Sequence, residues 1–298
     1  MATVQVLMST FNGSRFLSEQ LESIYCQRGV EVRLLVRDDG STDSTADILR
    51  CEQEQGRLEW YSGQNLKPAR SFLNLLRNAD EGTDLYAFSD QDDVWDDDKL
   101  LAASNAIGDE AKPALYFCQT RLVDEWLRDL PQMPISPRLT YGEALMYQFV
   151  GGCTMVFNQA LRDIVNLYTP EYLRMHDLWV YDIALAVGAK VVFDPVPHIR
   201  YRQHSDNAIG QTASTLSHWR ERLQRLRQRE HIRLRTAQEL LKGYSSLMLP
   251  ENRELTEAIV GYRTSFSKKL SLLLSRRLRP ANKTIAFTGK LAILLNLF

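Results

Sequence analysis

The sequence has 298 residues, of which 44% are hydrophobic and 24% are charged, a balance typical of a globular protein with a substantial core. No apolar run approaches the roughly 20 residues of a bilayer-spanning helix, and the N-terminus lacks a basic stretch followed by an apolar one, so we expect neither a spanning helix nor a signal peptide. The four cysteines are scattered without a CxxC pair, which predicts reduced thiols in the cytosol.

The net charge of −1 conceals an uneven distribution. Residues 1–210 contain 19 Lys and Arg against 31 Asp and Glu, a net charge of −12. Residues 211–298 contain 17 against 6, a net charge of +11. The sequence therefore predicts an acidic body followed by a basic segment that meets an anionic partner.

The first hundred residues alternate between strand-like and helix-like patterns. Short apolar runs that end in turn residues predict four strands, at 4–8, 32–36, 58–61 and 84–88. Helical spacing of apolar residues lies between them, around 16–24 and 71–78, and residues 41–43 supply N-cap chemistry for a further helix. This alternation predicts βαβ units on a mostly parallel sheet.

The remainder of the chain is more mixed. Strand-like runs occur at 114–118, 153–157, 190–193 and 198–201, and a helix is predicted over 177–187. From residue 214 the pattern is helical and basic, with an apolar stripe formed by Leu216, Trp219, Leu223 and Leu226. We expect an α/β, Rossmann-like fold over 1–210, with halves 1–112 and 113–210, and a basic helical extension over 211–298.

Polar residues directly follow three of the predicted strands. They are Thr10 with Asn12, Asp38 with Asp39, and Asp90 with Asp92. Ligands bind beyond the carboxyl ends of the strands in open α/β sheets, so these residues are predicted to share one site. Asp39 suits the imide N–H of a pyrimidine ring or a sugar hydroxyl, although a simple turn is the alternative for this segment.

The acidic run Asp90-Gln91-Asp92-Asp93 is the strongest single candidate for a metal loop. Crowded carboxylates repel one another unless a divalent cation bridges them, and oxygen ligands suit Mg²⁺ or Mn²⁺. The alternative is a solvated acidic loop. The carboxylates that follow, at 96–98, are interpreted as caps of the next helix.

Two later positions carry further candidates. Asp177 opens a predicted helix, where it is equally consistent with a general base and with an ordinary N-cap residue. His204 follows the last predicted strand as a candidate metal ligand, and Arg202 as a candidate phosphate clamp. A lone histidine is more often structural, so this interpretation depends on its neighbours.

Taken together, six segments resemble the family 2 glycosyltransferases, and within them the bacterial rhamnosyltransferase-like group. In order they are VLMSTFNG, RDDGSTDST, FSDQDDVWDDDKL, GGCTMVFN, MHDLWV and YRQHSDN, and they span roughly residues 3–210. The resemblance implies a GT-A fold, an inverting mechanism, a Mg²⁺ or Mn²⁺ ion and a nucleotide-sugar donor such as dTDP-L-rhamnose. It also implies a donor-binding half at 1–112 and an acceptor half at 113–210.

The resemblance further implies roles for individual residues. Asp177 would be the catalytic base, and Asp92 the direct metal ligand with His204 completing the metal or diphosphate site. The expected donor contacts are Thr10, Asn12, Asp39 and Asp90, supported by Asp38, Asp93 and Arg202, and the expected acceptor side is Gly151, Gly152, Cys153 and Trp179. One departure is Lys67, where the family usually has Gly; Lys67 or Arg70 would then reach a donor phosphate.

The basic tail interleaves cations with short apolar stretches, as in KKLSLLLSRRLR from residue 268. This pattern favours a helix on an anionic membrane surface, hence a cytoplasmic, peripheral protein on the inner face of the bacterial inner membrane, with a glycan or glycolipid acceptor. A helical cap or an oligomer interface is the alternative, and nucleic acid is disfavoured because the acidic body repels phosphates. Competing functions are a sugar nucleotidyltransferase, which a single glycine in the first loop argues against, and a non-catalytic nucleotide-sugar-binding scaffold.

Overall fold

The computed structural model describes residues 1–204 and 231–298. The predicted apolar stripe at 216–226 lies outside the described residues. Up to residue 107 the elements are β1 Ala2–Thr10, α1 Leu17–Tyr25, β2 Val30–Asp38, α2 Thr45–Glu54, β3 Glu59–Ser62, α3 Lys67–Asn78, β4 Leu85–Ser89, β5 Val94–Trp95 and α4 Lys99–Ile107.

The remaining described chain begins with further sheet elements and ends in helices. The elements are β6 Ala114–Cys118, β7 Arg121–Val123, α5 Tyr141–Ala144, a 3₁₀ turn Gly152–Thr154, β8 Val156–Asn158, α6 Gln159–Asn166, α7 His176–Val187, β9 Lys190–Asp194, β10 Ile199–Arg202, α8 Ile232–Tyr244, α9 Pro250–Gly261, α10 Phe266–Leu274 and α11 Lys283–Leu294. The strand predicted at 153–157 starts three residues later, because its first two residues belong to the 3₁₀ turn Gly152–Thr154.

The main sheet has the strand order β3-β2-β1-β4-β8-β6-β9. Only β8 is antiparallel to its neighbours, so the mostly parallel sheet is confirmed. Side chains alternate between the two faces of the sheet: Val6 and Met8 lie in one buried cluster and Leu7 in the other. Both faces are therefore covered, as expected of parallel strands joined by helices.

A second sheet of three short strands has the order β5-β10-β7. Ile199 of β10 pairs with Trp95 of β5, and Arg202 pairs with Val123 of β7. Because β5 directly follows the acidic run and β10 directly precedes His204, this small sheet brings two distant segments of the sequence together.

The C-terminal helices α8 to α11 pack on the α/β body. Leu240, Ile259, Leu272 and Ile293 belong to the same buried cluster as α7, and the hydroxyl of Tyr244 donates to the carbonyl of Val165 at 2.8 Å. The predicted helical extension is therefore confirmed over 231–298, and it caps the domain. Within the described ranges, no helix is long and apolar enough to cross a bilayer.

Gly142→Ala is expected to destabilise the protein by about 1–3 kcal/mol, although Gly to Ala in a helix usually stabilises. A Cβ at Gly142 would lie 2.1 Å from the carbonyl oxygen of Arg277, so the loop between α10 and α11 would have to move. Urea unfolding measures the effect. Gly151→Ala is the matched control, because a Cβ there meets nothing within 4 Å, and equal losses in both variants would contradict the packing argument.

Candidate active site

The three polar strand ends lie at one edge of the main sheet. In the register of the sheet Thr10 pairs with Asp38, Met8 pairs with Ser89, and Asp38 pairs with Ser62. The loops that follow β1, β2 and β4 therefore emerge side by side. The sequence-predicted residues in these loops share one edge, as expected.

Asp38 and Asn12 fasten the first two loops to each other. The carboxylate of Asp38 accepts hydrogen bonds from the Thr10 hydroxyl at 3.1 Å and from the backbone N–H of Ser41 at 2.9 Å. The side-chain oxygen of Asn12 accepts from the backbone N–H of Thr42 at 2.8 Å, and Asn12 has a left-handed φ of 49° that Asn tolerates well. The two side chains therefore stabilise the loops that follow β1 and β2 through hydrogen bonds within and between these loops.

Asp39 points away from that network toward the start of α3. Its buried carboxylate forms an ion pair with Arg37 and accepts from the backbone N–H of Leu66 at 3.0 Å. The next residue, Lys67, has a φ of 65°, a conformation that favours glycine. This explains why the related family usually has Gly there. The guanidinium of Arg70 donates to the carbonyl of Glu171 at 2.9 Å.

Gln91 anchors the acidic loop, a role that the sequence did not reveal. Its side-chain oxygen accepts from the backbone N–H of Phe11 at 2.8 Å, and its amide donates to the carbonyl of Phe11 at 3.2 Å. A Cβ at Gly13 would lie 2.2 Å from that oxygen, so a glycine at position 13 makes room for the contact. The acidic loop is thereby held against the end of β1.

The side chains of Asp92 and His204, the two predicted metal ligands, are in direct contact. Nε2 of His204 lies 3.0 Å from Oδ2 of Asp92, across 112 positions of sequence. Arg202, the candidate phosphate clamp, has a buried side chain with partners in the protein: Nε donates to the carbonyl of Asp92 at 2.8 Å and the guanidinium pairs with Glu19. Arg202 therefore holds the acidic loop in position, which is a supporting role.

A second group of ligand-type atoms lies beneath the loop. Atoms of Asp90, Asp93 and Cys153 lie within 4.8 Å of one another. Burial, together with the charges of Asp92 and Asp177, raises the pKa of Asp90 to about 7, and burial raises the pKa of the Cys153 thiol. Crowded carboxylates with raised pKa values are what a bridging cation would relieve. Cys153 is therefore close to the acidic loop, and its place on the acceptor side stays a prediction.

Lys99 is a buried cation that the sequence analysis did not single out. Its ammonium lies 3.4 Å above the ring of Trp95, and burial lowers its pKa to about 8. The predicted cap role of residues 96–98 is wrong for their side chains. Asp98 occupies the N-cap position of α4 without capping it and instead contacts Nδ1 of His198 at 2.8 Å, and Asp97 pairs with Arg28.

Asp177 lies in the first turn of α7 and is 7% exposed. Its Oδ2 accepts from the backbone N–H of Gly152 at 3.0 Å and its Oδ1 from that of Leu178 at 2.7 Å. Burial raises the pKa of Asp177 to about 6. A Cβ at Gly152 would lie 2.5 Å from Nε2 of His176, so glycine is needed for this close approach.

The other predicted acceptor residues divide between surface and core. Gly151 has open space around its Cα, in line with a place beside a bound substrate. Trp179 is 3% exposed and its ring lies 5.8 Å from that of Tyr244. This side chain packs α7 against the C-terminal helices, and its place on the acceptor side stays a prediction.

The described site thus combines the buried Asp39 carboxylate that follows β2, a histidine-paired acidic loop and the separate buried carboxylate of Asp177 with its raised pKa. Carboxylates that follow several strands at the carboxyl edge of a mostly parallel sheet are typical of α/β enzymes, which bind their ligands at this edge. Residues 5–165 match the family described as Glycosyl transferase family 2. The chain belongs to glycosyl transferase family 2.

Individual relatives agree with this assignment. The chain is 30% identical over 230 residues to the dTDP-rhamnosyl transferase RfbG of Shigella flexneri, covering 70% of this chain and 75% of that protein. Its fold is similar to that of S. aureus TarS 1–349 in complex with UDP-GlcNAc, with a TM-score of 0.60, 19% identity and coverage of 98% and 81%. It is also similar to the mannosyltransferase PcManGT from Pyrobaculum calidifontis in complex with GDP-Man and Mn²⁺, with a TM-score of 0.54, 17% identity and coverage of 99% and 80%. The GT-A fold and the glycosyltransferase class are confirmed.

Proposed function

We propose that this glycosyltransferase moves L-rhamnose from dTDP-L-rhamnose, with inversion, to a hydroxyl of a bacterial cell-surface glycan or lipid-linked acceptor, such as lipopolysaccharide core or O-antigen. The observation that carries the reaction is the Asp177 carboxylate, buried near the acidic loop with a raised pKa. The similarity to a dTDP-rhamnosyl transferase supports rhamnose as the donor sugar and thymine as the nucleobase of the donor. Residues 1–112 bind the donor in this proposal, with Lys67 or Arg70 near its phosphates, and residues 113–210 bind the acceptor. The enzyme works as a peripheral protein on the cytoplasmic face of the inner membrane.

The reaction is a single displacement. The carboxylate of Asp177 takes the proton of the acceptor hydroxyl, and the acceptor oxygen attacks the anomeric carbon from the face opposite the diphosphate. The new glycosidic C–O bond forms as the bond to the diphosphate breaks, and the diphosphate leaves with the electron pair. One displacement inverts the anomeric configuration.

The residues of the acidic loop fit a divalent cation. Asp92 and His204, with Asp90 close enough to feel the charge of Asp92, would hold Mg²⁺ or Mn²⁺ through oxygen and imidazole donors. When bound, such an ion supplies Lewis-acid stabilisation of the departing diphosphate. Gln91 and Arg202 keep the loop in place for this binding, through their contacts with Phe11 and with the carbonyl of Asp92.

The transfer rate is expected to depend on pH through Asp177. A base must be ionised, and the pKa of Asp177 is raised to about 6, so kcat should fall roughly tenfold per pH unit below about pH 6 and level off above it. Initial rates between pH 4.5 and 8 at saturating donor and metal measure this. A rate that stays level down to pH 4.5 would contradict the assignment of the base.

A screen of nucleotide sugars by thermal unfolding tests the proposal. A donor present at 100 times its dissociation constant stabilises the folded protein by about 2.7 kcal/mol. We expect dTDP-L-rhamnose with Mn²⁺ to raise the unfolding temperature more than UDP-glucose or GDP-mannose with Mn²⁺, and more than dTDP-L-rhamnose with a chelator. If only a different donor stabilised the protein, the assignment of the sugar would be wrong. If no donor gave metal-dependent stabilisation, the proposed function itself would be overturned.

A further inference from the structure

The helices α10 and α11 each expose a second apolar face. Their exposed large side chains recur every fourth residue, which places them in one stripe along each helix. The stripes are Phe266, Leu270 and Leu274 on α10, exposed to 81%, 43% and 71%, and Phe287, Leu291 and Leu295 at α11, exposed to 69%, 41% and 55%. Leu272 and Ile293 of the same helices are buried in the core. The helices therefore already pack on the domain through their other faces, and the exposed stripes are not needed for that packing.

The same segment is strongly basic. Residues 258–298 contain eight Lys and Arg and no Asp or Glu. Four cations, Arg138, Arg279, Lys283 and Lys290, line a cleft of about 430 Å³ whose wall includes Phe287. No acidic side chain lines this cleft, and none of the four cations forms an ion pair with any residue in the described ranges. Positive charge therefore accumulates beside an exposed aromatic ring.

We propose that α10, α11 and the loop between them, the docking hairpin, bind the surface of a bilayer that contains anionic phospholipid. The apolar stripes enter the boundary between headgroups and acyl chains, and the basic cleft receives lipid phosphates. This inference deepens the proposed function. It rests on that proposal for the location of the enzyme at the inner membrane. It gives the enzyme a defined surface for approaching a lipid-linked acceptor.

Charge complementarity favours this partner over the others. A second copy that pairs through the same helices, as in a two-fold dimer, would bring two acid-free basic segments together, and their like charges would repel. A nucleic acid would neutralise the cations but would leave the apolar stripes in water. An anionic bilayer satisfies both features at once, because it offers phosphates next to an apolar phase.

Flotation of the full chain with phosphatidylcholine vesicles, with and without 30% phosphatidylglycerol, tests the proposal. The unmodified chain should float only with the anionic vesicles. Phe287→Ser with Leu291→Ser should lower the partition coefficient at least tenfold. Arg279→Gln with Lys283→Gln should lower it by about 25-fold, since each cation near such a surface contributes about a fivefold factor.

Matched controls lie on other parts of the surface. Leu167→Ser, at a side chain 66% exposed, and Lys112→Gln should leave vesicle binding unchanged. Absence of flotation by the unmodified chain, or equal flotation by the Phe287 and Leu291 variant, would overturn the proposal. So would a dimer in sedimentation velocity that this variant converts to monomer without any loss of vesicle binding.

Transfer to a water-soluble acceptor separates this inference from the proposed function. The hairpin variants should retain that activity, because their side chains lie outside the catalytic site. Vesicle binding without sugar transfer would contradict only the proposed function. Sugar transfer without vesicle binding would contradict only the proposed role of the docking hairpin.

Discussion

Asp177→Asn is expected to lower the rate of sugar transfer by about 10²–10⁴-fold while leaving donor affinity unchanged. The amide keeps the size of the side chain and can still accept from one of the two backbone N–H groups, those of Gly152 and Leu178. It cannot take a proton from the acceptor hydroxyl. Transfer rates measure the first effect, and metal-dependent thermal stabilisation by the donor measures the second.

Asp182→Asn is the matched control for this substitution. Asp182 lies on the same helix, is also buried, and accepts from the side-chain amide of Gln148 at 2.8 Å. Burial raises the pKa of Asp182 to about 8, so that carboxyl is mostly protonated at neutral pH and an amide replaces it closely. We expect near-normal transfer. If Asp177→Asn behaved like Asp182→Asn, another group would be the base.

The location of the site could be predicted because topology determines it. The carboxyl ends of parallel strands meet at one edge, so Thr10, Asp38 and Asp90 had to lie close together once the strands were recognised. The sequence pattern of each strand is strong, because both faces of this sheet are buried. The same reasoning located the acidic loop without any knowledge of side-chain contacts.

The contacts that shape the site could not be predicted in the same way. The strand β5 has two residues, too few for a periodic pattern, yet its pairing with β10 brings His204 to Asp92. Arg202 has the chemistry to bind phosphate or backbone carbonyls, and only the folded structure shows that it binds carbonyls. The helix α7 is apolar on nearly all sides, so its sequence does not show that Trp179 faces the core.

Asp92→Asn is expected to abolish metal-dependent donor binding and to lower transfer by at least about 100-fold. The substitution preserves shape beside His204 but removes the charge that a hard cation requires. Thermal stabilisation by donor, measured across a Mn²⁺ titration, reports the loss. Asp97→Asn, at one of the carboxylates that follow the acidic run and paired with exposed Arg28, should leave the titration unchanged.

Cys153→Ala distinguishes the two possible sets of metal ligands. If the ion is bound by Asp92, His204 and Asp90, removal of the Cys153 thiol should leave the Mn²⁺ titration nearly unchanged. This is the expected result, because burial raises the pKa of Cys153 and a protonated thiol is a poor ligand for a hard cation. If Cys153→Ala abolished metal dependence while Asp92→Asn kept it, the ion would lie instead between Asp90, Asp93 and Cys153. Together, the two variants therefore distinguish an ion held by Asp92 and His204 from an ion held by Asp93 and Cys153.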